Sequence, residues 1–275
     1  MSRRLSEIRI ARFKKIILAH YEKHGRSLPW RETRDPYRIF VSEIMLQQTQ
    51  VSRVMEKYPR FIERFPDFHS LAAAPLSEVL SLWQGLGYNR RALFLKRSAE
   101  RVIGDFGGRL PDDAGVLASF PGIGANTAFA IVAFAFNKPA VFIETNIRSV
   151  FTRFFFKGSQ EVNDREIFPL IASTLYEKDP RTWYWALMDF GVMIKARERK
   201  INARSAHYVR QPPFKGSNRE LRGMIIRALL ESPPMTENAL AGRLKTERED
   251  IAENLRALRA EGLVMKRGQR YTIAG

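Results

Sequence analysis

The chain of 275 residues contains no cysteine. That absence excludes disulfides, zinc–thiolate sites, cysteine-ligated iron–sulfur clusters and a cysteine nucleophile. Long apolar runs are missing too. The longest, Thr127 to Phe136, is too short to span a bilayer and ends at Asn137-Lys138-Pro139. Met1-Ser2-Arg3-Arg4 leads into a charged amphipathic stretch without the apolar centre of a signal peptide. A cytoplasmic, soluble protein with no membrane partner is expected. Acidic residues are in short supply: 29 stand against 46 lysines and arginines, giving a formal charge of +17. Such an imbalance points to a polyanion, nucleic acid first and an anionic membrane surface second, although charge alone does not separate either from an ordinary basic protein.

Strand-like alternation of useful length is absent before the last fifteen residues, and helical periodicity takes its place. Ile8, Ile10, Phe13, Ile16, Ile17 and Tyr21 mark an amphipathic first helix that stops before His24-Gly25. Asp35-Pro36 opens a segment expected to turn helical near Ser42. Further helices fit residues 54–65, 75–84, 90–106 and 113–119, punctuated by Gly85-Leu86-Gly87 and Gly107-Gly108. The body is all-α, and 45% hydrophobic residues suffice for a sizeable core.

After Val209 the composition changes. Gln211-Pro212-Pro213-Phe214-Lys215-Gly216-Ser217 reads as an interdomain linker. Helical patterns follow from Asn218 to Glu231, from Thr236, and from Thr246, where Thr246 and Glu249 have capping-box spacing. Residues 262–265 and 271–273 then flank a basic hairpin tip, Lys266-Arg267-Gly268-Gln269-Arg270. Three helices and a basic hairpin describe a winged helix-turn-helix. From residue 216 onward the net charge is only +3, leaving +14 on the helical body, which is the expected main grip on DNA.

Five stretches carry chemistry. In Leu117-Ala118-Ser119-Phe120-Pro121-Gly122-Ile123-Gly124-Ala125-Asn126-Thr127-Ala128, a short helix runs through Pro-Gly-Ile-Gly into an apolar helix. Gly122 and Gly124 allow close approach of another chain, and the amides of Gly124, Ala125 and Asn126, with Thr127 beside them, sit at a helix N-terminus able to bind phosphate. The pattern resembles the helix-hairpin-helix motif, which grips DNA backbone without reading sequence.

The second stretch is Leu28-Pro29-Trp30-Arg31, then Asp35-Pro36-Tyr37, then Ser42-Glu43-Ile44-Met45-Leu46-Gln47-Gln48-Thr49-Gln50-Val51. It is similar to the N-terminal signature of MutY-type adenine glycosylases, within the helix-hairpin-helix DNA glycosylase superfamily. The resemblance spans roughly residues 8 to 210. It implies that Glu43 is the general acid that protonates the base, that Gln47 or Gln48 wedges into the duplex, and that Arg31 supports the base pocket. Trp83-Gln84-Gly85-Leu86-Gly87-Tyr88-Asn89-Arg90-Arg91-Ala92 is similar to the family's Gly-Leu-Gly-Tyr-Tyr segment, which implies an intercalating role for Tyr88. Asn89 departs from the second tyrosine.

In Val141-Phe142-Ile143-Glu144-Thr145-Asn146-Ile147, Glu144 stands where the family places a catalytic aspartate, one methylene longer, with Asn146 as a supporting residue. Cleaving an N-glycosidic bond develops positive charge on the sugar, which a carboxylate stabilises, while a protonated carboxyl assists the leaving base. The resemblance thus gives Glu43 as acid and Glu144 as oxocarbenium stabiliser or water activator. Asn126 stands where bifunctional relatives carry an imine-forming lysine. Asparagine cannot form that imine, so base release without efficient strand scission is expected, with Asn126 lining the base pocket.

The fifth stretch follows Met188-Asp189-Phe190-Gly191-Val192-Met193-Ile194, which matches the family's helix. The family's iron–sulfur ligands would fall on Lys195, Asn202, Ser205 and Gln211, none of them a thiolate. No cofactor is expected, apart from a monovalent cation at the Pro121–Gly124 carbonyls that the resemblance allows. Lys195 to Lys215 instead holds seven basic residues and one acid, a stretch read either as a phosphate contact or as a solvated surface.

The expected fold is an all-α, two-lobed helix-hairpin-helix glycosylase domain over 1–210, a linker at 211–217 and a small α+β winged helix-turn-helix domain over 218–275. The expected function is a monofunctional, monomeric base-excision glycosylase acting on double-stranded DNA with a mismatched or damaged base, adenine first. Thymine, uracil or a damaged purine is the alternative target, because the tail does not match the Nudix-like domain usual in MutY-type enzymes. A non-catalytic winged-helix DNA-binding protein is the alternative from another class.

Overall fold

A computed structural model of the chain describes residues 6–198, 200–208 and 213–275. Met1-Ser2-Arg3-Arg4, the boundary at Arg210 and the first linker residues, Gln211-Pro212, lie outside them. Helices α1 (Glu7–His24), α2 (Pro36–Leu46), α3 (Val51–Arg64), α4 (Phe68–Ala73), α5 (Leu76–Trp83), α6 (Arg90–Phe106), α7 (Ala114–Ala118), α8 (Ala125–Phe136), α9 (Thr145–Phe155), α10 (Asp164–Thr174) and α11 (Pro180–Arg197) come first. Then follow α12 (Asn218–Glu231), β1 (Met235–Thr236), α13 (Glu237–Leu244), α14 (Arg248–Ala260), β2 (Val264–Arg267) and β3 (Arg270–Ile273). The chain is mostly helical with a small C-terminal sheet, as its periodicity predicts.

The described residues gather into two compact units. One holds 6–40, 112–119 and 123–208; the other holds 41–111, 120–122 and 213–275. In the first, α1, α9 and α11 pack together around Phe13, whose ring meets Phe151, Phe155 and Trp183 edge-on at 5.4, 5.1 and 5.8 Å. Glycine makes the α9–α11 approach feasible. A Cβ on Gly191 would lie 2.4 Å from the carbonyl oxygen of Asn146, closer than real Cβ contacts come. Without a side chain at 191, α11 passes against the first turn of α9.

In the second unit, α4 and α5 pack on α6 and α3 on α5, around Phe61, Phe65 and Trp83. The C-terminal residues belong to this unit. Their sheet has the order β1-β3-β2, antiparallel throughout, with Arg267 opposite Arg270 across the Gly268-Gln269 turn. No helix among the described residues is long and apolar enough to cross a membrane.

Three local expectations need correction. Helix α2 starts at Pro36, not near Ser42: Asp35 Oδ1 accepts from Tyr37 N at 2.9 Å, and proline at the first helical position needs no amide. Thr246 is not the cap of α14. Lys245 ends α13 in the left-handed region (φ 51°), Thr246 Oγ1 donates to Leu244 O at 3.2 Å, and the helix begins one residue later, after Glu247. The hairpin also gains β1 as a third strand, whose two residues are too few to show periodicity.

Candidate active site

In the first unit the site is built around the start of α9. Residues 140–143 lead into it, fixed by Tyr184 Oη donating to Ala140 O at 2.6 Å and by the Phe142 ring tilted against that of Tyr184, their centres 4.1 Å apart. Glu144 is the N-cap. Its carbonyl accepts from Arg148 N at 2.8 Å, while its carboxylate does not cap the helix. That carboxylate is half-buried, and burial pushes it up to about 7, against the opposing pull of the Lys195 ammonium. Lys195 is in turn lowered, first by burial and then by the Arg26 guanidinium. Beside Glu144, Asn146 Oδ1 is buried with no hydrogen-bond partner among the described residues. Asn126, in the first turn of α8, accepts from Ile143 N at 3.4 Å, tying that exposed helix start to the residue before Glu144. Gly124 and Ala125 are exposed and Thr127 half-exposed. Gly124 is the N-cap without a side chain, so the helix presents its first-turn amides there.

Arg31 is held within the first unit. Its guanidinium forms a two-pronged ion pair with Asp189 of α11 at 2.8 and 2.9 Å, both side chains almost fully buried. Arg26 adds its backbone N–H at 2.9 Å and its Nε at 2.7 Å to the same carboxylate. Burial alone would raise Asp189, but these donors hold it below the usual carboxylate range. The pair pins the turn after α1 to the helix that carries Gly191 and Lys195.

The remaining candidates belong to the second unit. Glu43 is half-buried on α2. Gln47 and Gln48 diverge: Gln47 Nε2 donates to Gly122 O at 3.2 Å, while Gln48 is exposed with φ 53°. Tyr88 shares that left-handed conformation, with φ 48°. Non-glycine residues rarely adopt it and it costs ~1–3 kcal/mol, so both turns are held by something else. Arg91 is that holder. Its Nη1 donates to Ile44 O and Met45 O, both at 2.8 Å, and its Nη2 to Thr49 Oγ1 at 2.8 Å and to Leu86 O and Gly87 O at 3.1 Å. One buried side chain thus caps the last turn of the helix that carries Glu43 and staples it to the loop that carries Tyr88. Gly122, with φ 72°, admits the ring of Phe94 where a Cβ would lie 2.5 Å from Phe94 Cδ2.

Where the family would hold an iron–sulfur cluster, the described residues do not fit one. Asn202 Oδ1 accepts from Ser149 Oγ at 2.7 Å, Arg204 Nε donates to Ser159 O at 2.8 Å, Ser205 pairs with Val162 in an isolated bridge, and Lys195 serves Glu144. Protein hydrogen bonds close this segment, around an open depression of about 450 Å³ lined in part by Arg197, Lys200 and Arg204. The fourth ligand position, Gln211, lies outside the described residues.

Asp189, Gly191, Lys195 and Arg91 do not stand out as site residues in the sequence. Asp189, Gly191 and Arg91 lie inside stretches that match the family and Lys195 just after one, but nothing local distinguishes a buried charged residue from a surface one.

Residues 41–168 match the HhH-GPD superfamily of base excision DNA repair proteins. An adenine DNA glycosylase of Mycolicibacterium smegmatis is 32% identical, with 94% of this chain and 95% of that protein covered. One of Buchnera aphidicola is 37% identical, covering 66% of this chain and 52% of that protein. The chain spans about half the length of most of the curated adenine DNA glycosylases it matches. Among solved structures, a thermostable thymine-DNA glycosylase superposes with a TM-score of 0.63 at 32% identity, covering 68% of this chain and 87% of that one.

Proposed function

The chain belongs to the HhH-GPD superfamily of base excision DNA repair proteins, and from that membership we propose that it is a monofunctional DNA glycosylase. Its substrate is a flipped, mispaired adenine in duplex DNA, and it hydrolyses the N-glycosidic bond. The observation that carries this reading is the half-buried Glu144 carboxylate, pushed up to about 7 at a helix start, beside Lys195 and the unsatisfied acceptor of Asn146. Such a perturbed carboxyl is a functional-site signature.

In the reaction, the C1′–N9 bond breaks and its electron pair leaves with the base, which takes a proton from Glu43. Positive charge on the sugar is stabilised by ionised Glu144. The oxygen of water then bonds to C1′, and its proton passes to Glu144. Gln48 is favoured over Gln47 as a wedge, because Gln47 is bound to Gly122 and Gln48 is exposed. Tyr88 is the second wedge. The α8 amides from Gly124 to Thr127 hold a phosphate. Asn126 forms no imine, so the strand stays intact. We assign these roles to a monomeric catalytic domain over 1–210, joined at 211–217 to a winged helix over 218–275.

A second reading keeps the chemistry and changes the base to thymine. It is favoured by the likeness to a thymine-DNA glycosylase structure and by the departures at Asn89 and Glu144 from the adenine-specific pattern. Oligonucleotide duplexes carrying A, T or U in mismatches, or a damaged purine, incubated with protein and then with or without alkali, decide between the two. Adenine release that needs alkali for strand cleavage is expected. Glu43→Gln and Glu144→Gln should each slow release at least ~100-fold. If the wild type releases no base from any duplex and both variants bind DNA as it does, the chain is a DNA-binding protein and not an enzyme; if all three release base equally, Glu43 and Glu144 are not the catalytic groups.

A further inference from the structure

The C-terminal residues touch the proposed wedge. Arg219, at the second position of α12, donates from Nη1 to the hydroxyl of Tyr88 at 2.7 Å, and its guanidinium carbon lies 5.7 Å from the centre of the tyrosine ring. The Arg91 guanidinium lies at the same distance from that ring. Tyr88 is thereby held at two points: Arg91 fixes its backbone through the Leu86 and Gly87 carbonyls, and Arg219 fixes its far end. The contact rests on a packed base. Helix α12 packs against α5, which leads into the Tyr88 loop. The turn after α14 lies so close to α6 that a Cβ on Gly262 would sit 2.8 Å from Arg97 Nη2.

Arg219 is not placed there by the helix dipole. A cation in the first turn opposes the positive end of the helix dipole. Its placement makes sense in relation to the ring it touches.

We propose that Arg219 is a positioning residue for Tyr88, so that the C-terminal α12 forms part of the surface that opens the duplex at the lesion. This rests on the glycosylase reading and on Tyr88 as wedge. By fixing the hydroxyl, Arg219 orients an exposed ring for insertion and sets a positive charge beside it.

The test uses the full chain. With fluorotyrosine incorporated and the Tyr88 signal assigned by its loss in Tyr88→Phe, the ¹⁹F resonance should shift in Arg219→Ala without DNA; an unmoved resonance overturns the contact. In single-turnover base release, Arg219→Ala should be 5- to 10-fold slower than wild type, with a smaller 2-aminopurine fluorescence rise at the lesion. Arg219→Lys, which keeps a donor, should recover part of the rate. In the Tyr88→Phe background, Arg219→Ala should cost less than 2-fold, because the hydroxyl it grips is gone. An equal loss in both backgrounds, or a rate for Arg219→Ala within 2-fold of wild type, overturns the positioning role. A wild-type chain that releases no base from any duplex, yet shows the ¹⁹F shift, sinks the glycosylase reading and leaves the contact standing.

Discussion

Arg91 Nη1 lies 2.8 Å from the carbonyl oxygen of Met45, and this bond joins the helix that carries Glu43 to the one that follows Tyr88. Five acceptors surround the guanidinium, and burial lowers it to about 10. Arg91→Met is expected to leave those acceptors unsatisfied and to destabilise the fold by ~2–4 kcal/mol. Arg91→Lys keeps the charge but not the fork, so it should retain much of the stability and lose base release. Thermal melting and single-turnover rates on both variants check this. A lysine variant with full activity would show that the two turns are held some other way.

Gly191→Ala reverses an ordinary rule. In an exposed helix interior this change stabilises by ~1 kcal/mol. Here the new Cβ meets the Asn146 carbonyl at 2.4 Å, and relieving the overlap is expected to cost ~1–3 kcal/mol and to displace the start of α9. Melting should show a lower Tm. Base release, measured well below that Tm, should fall further than stability explains, because Glu144 moves with the helix.

Asp189→Asn leaves Arg26 and Arg31 without their counter-charge, at an expected cost of ~3–5 kcal/mol. The wild-type carboxyl is lowered in the folded state, so its contribution is full above the unfolded value of ~3.9 and is lost as pH falls through the lower folded value. Between pH 7 and 5 the gap in Tm between wild type and variant should hold constant. Below pH ~4 it should narrow. A gap that stays constant down to pH 2 would remove Asp189 from the account.

Glu144 titrates in the opposite sense. Its folded value is raised, so ionisation weakens the fold as pH climbs from ~4.3 to about 7, with no further change above. Glu144→Gln should therefore match wild-type stability near pH 4 and exceed it above pH 7, by at most ~4 kcal/mol at ~1.4 kcal/mol per pKa unit. For the wild type, base release should rise with pH through about 7 as the carboxylate ionises. Lys195→Gln removes the cation that favours the ionised form and should move that rise to higher pH. A rise unaffected by Lys195→Gln would mean that another group sets it.

The helices were readable because their apolar spacing is local: residues 90–106 were expected as one helix and are found as α6. The start of α2 is not legible in the sequence, because Asp35-Pro36 signals both a turn and a helix entry, and only the bond from Tyr37 N to Asp35 distinguishes them. Gln47 and Gln48 are chemically identical neighbours. Their sequence could not rank them, because the distinction is a contact with Gly122, 75 positions away. Arg31 is found tied to Asp189, a partner 158 positions along the chain that no spacing rule connects to it.

By itself the sequence determined the absence of any thiolate ligand, the positive charge, the helical body and the motifs that place Glu43, Tyr88, Asn126 and Glu144 in a known chemical pattern. These follow from residue identity and from short-range periodicity. Tertiary structure alone decided which groups are buried and what faces them: the perturbed Glu144 carboxyl, the Arg91 staple, the Asp189 ion pair and the grip of Arg219 on Tyr88. Desolvation and long-range hydrogen bonds set those properties, and both depend on segments far apart in the chain coming together.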